Sequence, residues 1–316
     1  MHILNFERPI AELEKKIEEL KSFSTHKKID LNSEVKPLED KLLKLRKNIY
    51  DNLSPWEKIQ IARHPKRPYT LDYIGMIASQ FLELHGDRGF SDDKALIGGL
   101  ASIEKYKVMI IGHQKGRDTK ENVQRNFGCA HPEGYRKALR LMQLAQKFKL
   151  PIVIFIDTPG AYPGIGAEER GQAQAIALNL REMINIPVPI IAYVIGEGGS
   201  GGALGVGIAD RVCVLENAYY SVISPEGCAA ILWKDVSRAP DAAAVLKLTA
   251  KDLLKLGIIE EIIPEPMGGA HRKPEESAKN IKDSLLKNLK AFSSVKKDEL
   301  LQARYQKFRS IGKWQE

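Results

Sequence analysis

The sequence predicts an α/β fold flanked by helical arms, and three observations support this prediction. Between residues 71 and 265, short apolar runs alternate with stretches of helical periodicity. The longer runs are apolar throughout, as parallel strands buried on both faces are. On either side, apolar residues recur at spacings of three and four, which is typical of amphipathic helices. We therefore expect an N-terminal helical hairpin arm (1–70), an α/β core (71–265) and basic C-terminal helices (266–316).

The N-terminal arm contains two apolar seams separated by a polar stretch at 24–32. Each seam is too short for a long coiled coil, so we expect an antiparallel hairpin whose seams pack on each other or on a partner chain. The segment 54–68 contains three prolines and predicts a junction. The seams comprise Ile10, Leu13, Ile17 and Leu20, then Val35, Leu38, Leu42, Leu45 and Ile49.

The core is expected to consist of repeated strand–loop–helix units. Helices are predicted at 134–148 and 167–184, between successive strands. A loop rich in Pro and Gly at 264–274 then leads to the C-terminal helices. Strands are predicted at 108–111, 152–156, 188–195, 212–215, 219–223 and 258–263, and the C-terminal seams at Ile281, Leu285 and Leu289, then Leu301, Tyr305 and Phe308.

The composition is that of an ordinary globular protein, with 43% hydrophobic and 28% charged residues among 316. The formal net charge of +8 raises the question of nucleic-acid binding. However, the excess of Lys and Arg lies in residues 1–70 and 271–316, whereas 71–270 is close to neutral. Basic helical ends of this kind are usually solvated or dock to an acidic partner, so we expect no specific nucleic-acid binding.

The sequence also bears on location and metal binding. No apolar run approaches ~20 residues, and the first ten residues lack the pattern of a signal peptide, so we expect a cytoplasmic protein with no membrane partner. Cys129, Cys213 and Cys228 are too few and too scattered for a disulfide framework or a four-cysteine zinc site.

The segment GEGGSGGALG at 196–205 follows a predicted strand and allows several interpretations. Its G-x-G-x-x-G pattern occurs in dinucleotide-binding turns, but such turns normally open their domain. Its G-x-S-x-G pattern would suit a hydrolase nucleophile, Ser200, with His271 as the available base. The glycines could also serve only to let a helix and a strand pack closely.

A fourth interpretation makes the backbone itself the reagent. Consecutive glycines at a strand–helix junction leave N–H donors without helical partners, and the helix dipole adds to their attraction for an oxyanion. A second segment, DTPGAYPG at 157–164, follows the strand predicted at 152–156, and the two loops are expected to line one cleft. A D-x-P-G motif also occurs in Ras-like switches, yet the sequence contains no G-x-x-x-x-G-K-[ST] loop, which argues against nucleotide hydrolysis.

Several strings closely resemble the carboxyltransferase α subunits of multisubunit bacterial acetyl-CoA carboxylase, and the resemblance covers nearly the whole chain. They include IDTPGAYPG (156–164), GAEERGQ (166–172), GEGGSGGAL (196–204), YSVISPEGC (220–228), RHP (63–65), PYTLDY (68–73), GHQKGR (112–117) and EGYRKA (133–138). The resemblance implies a crotonase-like ββα superhelix and transfer of carboxylate from carboxybiotin to acetyl-CoA, which forms malonyl-CoA for fatty acid synthesis.

The same resemblance implies several partners. It implies a carboxyltransferase β subunit in an α2β2 heterotetramer, with the zinc on the β subunit. It also implies a biotin carboxyl carrier protein, which carries the carboxybiotin, and a separate biotin carboxylase, which uses ATP. No cofactor is expected to be bound covalently by this chain.

Carried over residue by residue, the resemblance places an oxyanion hole for the biotin ureido oxygen at the N–H groups of Gly201 and Gly202. On the sequence alone, Gly202→Ala is a control for the loss of a donor, because it keeps the N–H and adds only a methyl group, but it would fail as a control if the site were crowded or required a positive φ. Glu226 could act as an acid or base, although a helix-capping role is favoured for a Pro-Glu-Gly turn. The remaining candidate substrate-binding residues are Gly198, Gly199, Gly160, Ala161, Tyr162, Lys115 and Arg117; the last two are candidates for contacts with CoA phosphates or the carrier protein.

Overall fold

A mixed eight-stranded sheet forms the centre of the structure, a computed structural model that describes residues 3–27 and 31–312. Part of the polar connection predicted at 24–32 therefore lies outside the described residues. The strands are β1 (Gln80–Glu83), β2 (Leu96–Ile103), β3 (Tyr106–His113), β4 (Ile152–Thr158), β5 (Ile190–Gly199), β6 (Arg211–Leu215), β7 (Tyr219–Ser221) and β8 (Glu261–Ile263).

The strand order is β1-β2-β3-β4-β5-β6-β8, and β7 pairs only with β5. From β3 to β8 all pairings are parallel, whereas β1, β2 and β3 pair antiparallel. β5 changes neighbours along its length: residues 191–194 pair with β6, and residues 197–199 pair with β7. The sheet thus divides at the carboxyl end of β5, where the glycine segment lies.

Sequence analysis missed β1 and β2 altogether. β1 is short and half polar, and the Gly98–Gly99 pair interrupts the apolar run of β2. Gly99 lies so close to the backbone of Leu82 that any Cβ there would clash. The glycine that weakens the strand pattern is therefore what allows β1 to pair with β2.

Helices cover the sheet and form both ends of the chain. They are α1 (Arg8–Lys27), α2 (Asn32–Asp51), α3 (Pro55–Ala62), α4 (Thr70–Ile77), α5 (Thr119–Gln124), α6 (Pro132–Lys147), α7 (Ile165–Glu169), α8 (Gln172–Met183), α9 (Ser200–Leu204), α10 (Pro225–Trp233), α11 (Ala239–Val245), α12 (Ala250–Lys255), α13 (Pro274–Phe292) and α14 (Lys297–Arg309).

Three helix predictions need correction. The helix expected at 167–184 is two helices, α7 and α8, divided at Gly171, whose φ of 80° lies in the left-handed region. The junction at 54–68 contains α3, which begins with a capping box between Ser54 and Glu57. In α14 the buried residues are Leu300 and Arg304, whereas Tyr305 of the predicted seam is exposed.

The first two helices of the chain, α1 and α2, pack against each other. Their two seams pack on each other, with Ile10, Ile17, Val35 and Leu42 buried between α1 and α2. At the base of the hairpin, the buried Glu7 carboxylate accepts hydrogen bonds from Tyr50 at 2.7 Å and from Arg272 at 2.9 Å. The hairpin is thereby joined to the segment that follows the core.

Two fully buried arginines join the ends of the chain to the sheet. Arg67 pairs with Glu265 and donates to the carbonyl of Ile195 in β5 at 2.6 Å. Arg304 pairs with Asp210 at 2.7 Å and donates to the carbonyls of three residues, Met183, Ile186 and Val188. The division at residues 70 and 265 stays a prediction, because these contacts cross both proposed boundaries. Among the described helices, none has the length and apolar character needed to cross a membrane.

We predict that Arg304→Leu destabilises the chain by about 3–5 kcal/mol, because it leaves the buried Asp210 carboxylate without its counter-charge. Arg309→Leu, on the exposed face of the same helix, should change the free energy of unfolding by less than ~0.5 kcal/mol. Chemical denaturation of both variants measures the difference. Equal stabilities would contradict the role of Arg304 in attaching α14.

Candidate active site at the glycine turn

The two glycine segments lie side by side at the carboxyl ends of β4 and β5. Thr158 is in register with Gly198, so the chain leaves both strands at the same edge of the sheet. The predicted loop at 196–199 is in fact the last part of β5, and α9 begins at Ser200. Gly196 and Gly198 therefore lie inside a strand, which argues against a dinucleotide-binding turn.

Most glycines of this segment are explained by close packing. A Cβ on Gly196 would lie less than 3.0 Å from the Asp157 carboxylate, and one on Gly198 less than 3.0 Å from the Tyr220 ring. At Gly199 the obstacle is the backbone at Thr158 and Pro159, and at Gly202 it is the backbone of Gly160 and Ala161. The packing interpretation is thus correct for four of the five glycines at 196–202.

Gly201 is the exception. A Cβ there would have only Ile176 Cδ1 within van der Waals range, at 3.6 Å, and its φ is not in the left-handed region. Gly160 in the neighbouring turn has nothing within 4 Å of its Cβ position. Neither glycine is required by the packing of this chain, so both leave room for something outside it.

Gly201 lines a cavity of about 390 Å³. The first N–H groups of a helix have no partner within that helix, and Gly201 and Gly202 are the second and third residues of α9. Amide donors at a helix N-terminus beside a cavity are suited to binding an oxyanion. The walls are otherwise largely apolar: Ser200, Gly201, Leu204, Tyr220, Ser221, Val222, Leu253 and Ile258.

The contact of Gly202 with the backbone of Gly160 shows that the site is crowded, so Gly202→Ala cannot serve as the control. A methyl group at this position would collide with main-chain atoms, which cannot rotate away as a side chain can. On the other side, the Tyr135 hydroxyl donates to the Gly202 carbonyl at 3.4 Å. The protein therefore encloses the Cβ position and the carbonyl group of Gly202.

Ala161 and Tyr162 continue the turn, and Tyr162 is half-buried. The Tyr162 ring stacks on the His131 ring, with centroids 4.1 Å apart. The backbone N–H of Tyr162 donates to the Ala130 carbonyl. Ala161 packs against the main core cluster. The structure thus brings Gly160, Ala161 and the glycines of β5 and α9 together, while their predicted roles in binding substrate stay predictions.

Lys115 is largely buried and paired within the chain, while its predicted contact with CoA phosphates or the carrier protein stays a prediction. Its side chain is 12% exposed, and its ammonium group lies 2.7 Å from Asp157 Oδ1 and 3.1 Å from Glu197 Oε2. Burial alone would lower the pKa of Lys115, but these two carboxylates raise it above its ordinary value. The sequence could not show this pairing, because Asp157 and Glu197 lie on strands that are distant from Lys115 in sequence.

Arg117 is also engaged within the chain. Its guanidinium lies over the Tyr69 ring at 4.0 Å, pairs with Asp72, and donates to the carbonyls of Pro65 and Arg67. These contacts join the loop after β3 to the segment before α4. Arg117 therefore has a structural role within the chain, and its predicted contact with CoA or the carrier protein stays a prediction.

The ion pairs beneath the glycine turn were not predicted from the sequence. Glu197, in β5, accepts from Arg63 Nε at 2.5 Å and from the Tyr219 hydroxyl at 3.0 Å, in addition to pairing with Lys115. Arg63 also pairs with Glu226 at the start of α10. Burial raises the pKa of Glu197, but the charges of Lys115 and Arg63 outweigh burial and lower it to about 2.

Glu226 is neither a free acid nor the helix cap. The cap of α10 is Ser224, whose side chain accepts from the N–H of Gly227, while Glu226 binds Arg63 from the first turn. The G-x-S-x-G interpretation also fails, because His271 stacks on His64 and lines a different cavity from Ser200. Among the described residues, no group of three or more His, Cys, Asp or Glu is arranged to hold a metal ion.

Comparison with known proteins gives consistent results along the whole chain. A family model for acetyl co-enzyme A carboxylase carboxyltransferase-like proteins matches residues 3–312. The acetyl-coenzyme A carboxylase carboxyl transferase subunit alpha of Xanthomonas campestris pv. campestris is 58% identical over 312 residues, which cover 99% of this chain and 98% of that protein. The corresponding protein of Thermus thermophilus is 55% identical over 313 residues, 99% of each chain.

Solved structures show the same fold at lower identity. A Pseudomonas malonate decarboxylase hetero-tetramer in complex with coenzyme A superposes with a TM-score of 0.58 at 18% identity, over 73% of this chain and 90% of that chain. Transcarboxylase 12S superposes with a TM-score of 0.55 at 21% identity, over 72% of this chain and 44% of that chain. These likenesses confirm the predicted crotonase-like α/β fold.

We predict that Glu197 makes stability depend on pH in the acid range. Its carboxylate pKa is about 2 in the folded chain against an ordinary 4.5, so its stabilising effect is present above about pH 4.5 and is lost as the pH falls towards 2. The stability difference between wild type and Glu197→Gln should therefore shrink by on the order of 1–3 kcal/mol between pH 6 and pH 3. Urea unfolding at both pH values tests this, and a constant difference would contradict it.

Proposed function

The chain belongs to the family of acetyl-CoA carboxylase carboxyltransferase α subunits, and from this premise we propose that the backbone N–H groups of Gly201 and Gly202 stabilise the oxyanion that forms on carboxybiotin during carboxyl transfer. Carboxybiotin and acetyl-CoA are the substrates that such an enzyme implies, and malonyl-CoA is the product. The proposal assigns the chemistry of this half of the site to the main chain of α9.

The single observation that supports this assignment most strongly is the open space at Gly201. Packing within the chain explains the absence of a side chain at Gly196, Gly198, Gly199 and Gly202, but not at Gly201, which lines the cavity. A glycine whose Cβ position faces a cavity lets a substrate approach the backbone amide closely. A ureido ring held in the largely apolar cavity would thus lie beside the first N–H groups of α9.

The chemistry follows from where charge develops. When the N1–carboxylate bond of carboxybiotin breaks, CO2 is released and negative charge spreads from N1 to the ureido oxygen, which two amide donors stabilise. Such a donor contributes ~2.7–4 kcal/mol, or ~10²–10³ in rate, when it is aimed at the developing charge. N1 then takes a proton from the acetyl methyl group, and the resulting enolate attacks CO2 to form malonyl-CoA.

This series of reaction steps needs no side-chain nucleophile or base from the chain. The groups that would otherwise serve are paired: Lys115 with Asp157 and Glu197, and Glu226 with Arg63. The reaction depends instead on holding N1 and the acetyl methyl group together in a site from which water is excluded. The thioester oxygen of acetyl-CoA requires a second set of donors, which we assign to the β subunit.

A surface beside the cavity supports the assignment of a partner. Val222 lines the cavity and is 80% exposed, and Ile231 and Leu232 of α10 are also largely exposed. Large apolar side chains with this much exposure favour a protein interface. We propose that the β subunit covers this face in an α2β2 heterotetramer, with a zinc site on the β subunit, and that the biotin carboxyl carrier protein delivers carboxybiotin to the shared cleft.

The proposed function first predicts that carboxyl transfer requires both chains. Malonyl-CoA formation from carboxybiotin and acetyl-CoA should be undetectable with this chain alone and should appear when the β chain is added, because the thioester donors lie on the β chain. Radiolabelled product formation measures it. Full activity from this chain alone would contradict the two-chain site.

A second prediction isolates the backbone donors. Replacing Gly201 or Gly202 by glycolic acid exchanges one N–H for an ester oxygen and adds no side-chain atom. Each replacement should lower kcat by ~10²–10³ in an assembled enzyme. The Gly202 ester also weakens the Gly201 carbonyl, which accepts from Gly205 at 2.9 Å. An ester at Gly205 removes that same hydrogen bond and leaves both donors, so it serves as the control.

The Gly205 ester should keep kcat within about fivefold of wild type if the donors and not the helix turn decide the rate. Near-wild-type turnover with both the Gly201 and the Gly202 esters would remove these amides from the oxyanion hole.

A third prediction concerns Ser200, the exposed first residue of α9, whose φ of 49° lies in the left-handed region. Ser200→Ala should keep most of the activity, because the donors are backbone groups. A loss above ~10³-fold in a correctly assembled enzyme would instead favour a serine nucleophile.

A further inference from the structure

A continuous chain of five charged side chains crosses the carboxyl ends of three neighbouring parallel strands beneath the glycine turn. It runs from Asp157 at the end of β4 to Lys115 just after β3, then to Glu197 in β5, to Arg63 after α3, and to Glu226 at the start of α10. The two carboxylates that lie in strands are almost completely buried: the side chain of Asp157 is 2% exposed and that of Glu197 is 8% exposed.

Stability alone is a poor reason for such an arrangement. Desolvating charged groups offsets most of their mutual attraction, and well-packed apolar residues often stabilise a buried site equally well. What a fully bonded polar network adds is a single geometry, since each group has its partners in one arrangement only. The feature whose geometry matters here is the turn directly above the network.

Glu197 is tied to that turn through both its backbone and its side chain. Its N–H donates to Asp157 Oδ1 at 2.9 Å. This bond joins β5 to the end of β4, three residues before Gly160. Gly196 has no side chain because the Asp157 carboxylate occupies that space. Two residues beyond Glu197, Gly199 lies against the backbone of Pro159, so a shift of Glu197 would move both turns.

The outer end of the network reaches the cavity wall. Arg63 donates to Tyr219, which precedes the cavity residues Tyr220, Ser221 and Val222, and it pairs with Glu226 just beyond them. One guanidinium therefore joins the strand that ends in the glycine turn to the opposite side of the cavity. The planar guanidinium of Arg63 donates to Glu197 through Nε and to Glu226 through both terminal nitrogens, which fixes the direction of each bond.

We propose that Glu197 is a positioning residue for carboxyl transfer: with Lys115 and Arg63 it holds the end of β5 so that the Gly201 and Gly202 amides point at one oxyanion, a role that rests on the proposed function of those amides. It touches no substrate. Its removal should therefore slow turnover without weakening the binding of acetyl-CoA, whose thioester oxygen we assign to donors on the β subunit.

The test uses the assembled enzyme and a matched control at the other end of the same strand. Glu197→Gln removes one charge from a buried ion pair at the carboxyl end of β5. Asp210→Asn does the same at its amino end, where Asp210 is 4% exposed, pairs with Arg304 and accepts from the N–H of Ile190 at 2.7 Å. Both variants should lower the melting temperature. The pair therefore matches the loss of stability and differs in the end of β5 at which the charge is removed.

We expect Glu197→Gln to lower kcat by ~10–100-fold with the KM for acetyl-CoA within about twofold of wild type, and Asp210→Asn to keep kcat within about threefold. Hydrogen exchange of the amides at 198–206, followed by mass spectrometry, should be faster in Glu197→Gln and unchanged in Asp210→Asn. A Glu197→Gln enzyme whose kcat and exchange match those of Asp210→Asn would overturn the proposal.

A milder pair of variants covers the case in which Glu197→Gln does not assemble. Tyr219→Phe removes the hydroxyl that donates to Glu197 and keeps every charge, whereas Tyr193→Phe removes a buried hydroxyl of β5 that bonds Ser284 at 3.2 Å. Tyr219→Phe should lower kcat by about 3–10-fold and Tyr193→Phe by less than about twofold. Equal kcat values for the two would again overturn the proposal.

The hydrogen-exchange measurement separates this inference from the proposed function. If the assembled wild-type enzyme formed no malonyl-CoA, the proposed function would fail, while selective loosening of 198–206 in Glu197→Gln would still support the positioning role. If transfer occurred and the esters at Gly201 and Gly202 were inactive, but Glu197→Gln turned over normally, only the positioning role would fail.

Discussion

The direct contact of main chain with main chain between the turn after β4 and the turn after β5 is the constraint on which the rest of the site depends. Gly199 lies against Pro159 and Gly202 against Gly160, at distances that leave no room for a methyl group. Such contacts are possible only because parallel strands in register end at the same edge of the sheet. They bring the first amides of α9 to the edge of a cavity.

Charged side chains beneath the two turns fix their position, which the main-chain contact alone does not. Two glycine turns packed on each other have few side chains with which to fix their position, and glycine gives the chain more conformational freedom than any other residue. The network beneath them provides directed bonds from Lys115, Asp157 and Glu197 to the strand ends. Arg63 extends the network to a segment far away in sequence, so the N-terminal part of the chain is also part of the support of the site.

Buried arginines have a comparable role at both ends of the chain. Arg67 joins the segment before α4 to Glu265 and to β5, and Arg304 joins α14 to Asp210 and to three carbonyls. In each case one guanidinium donates to a buried carboxylate and to at least one buried backbone carbonyl. The helical ends are thereby attached to the sheet by hydrogen bonds as well as by apolar packing, and β5 is held at its beginning, middle and end.

The sequence by itself determined the features that depend on local periodicity and on long specific strings: the hairpin seams at Ile10 and Ile17, the buried strands β3 to β6, and the two glycine segments at one cleft. It did not reveal β1, the buried face of α14, or the pairing of Lys115, and it left open why the glycines are there. Only the tertiary structure decided these points. The reason is physical: a glycine in sequence is the same whether a backbone, a carboxylate or a cavity faces it, and a lysine is the same whether it meets water or two buried acids. Those neighbours come from strands and helices distant in sequence, and only the folded chain brings them together.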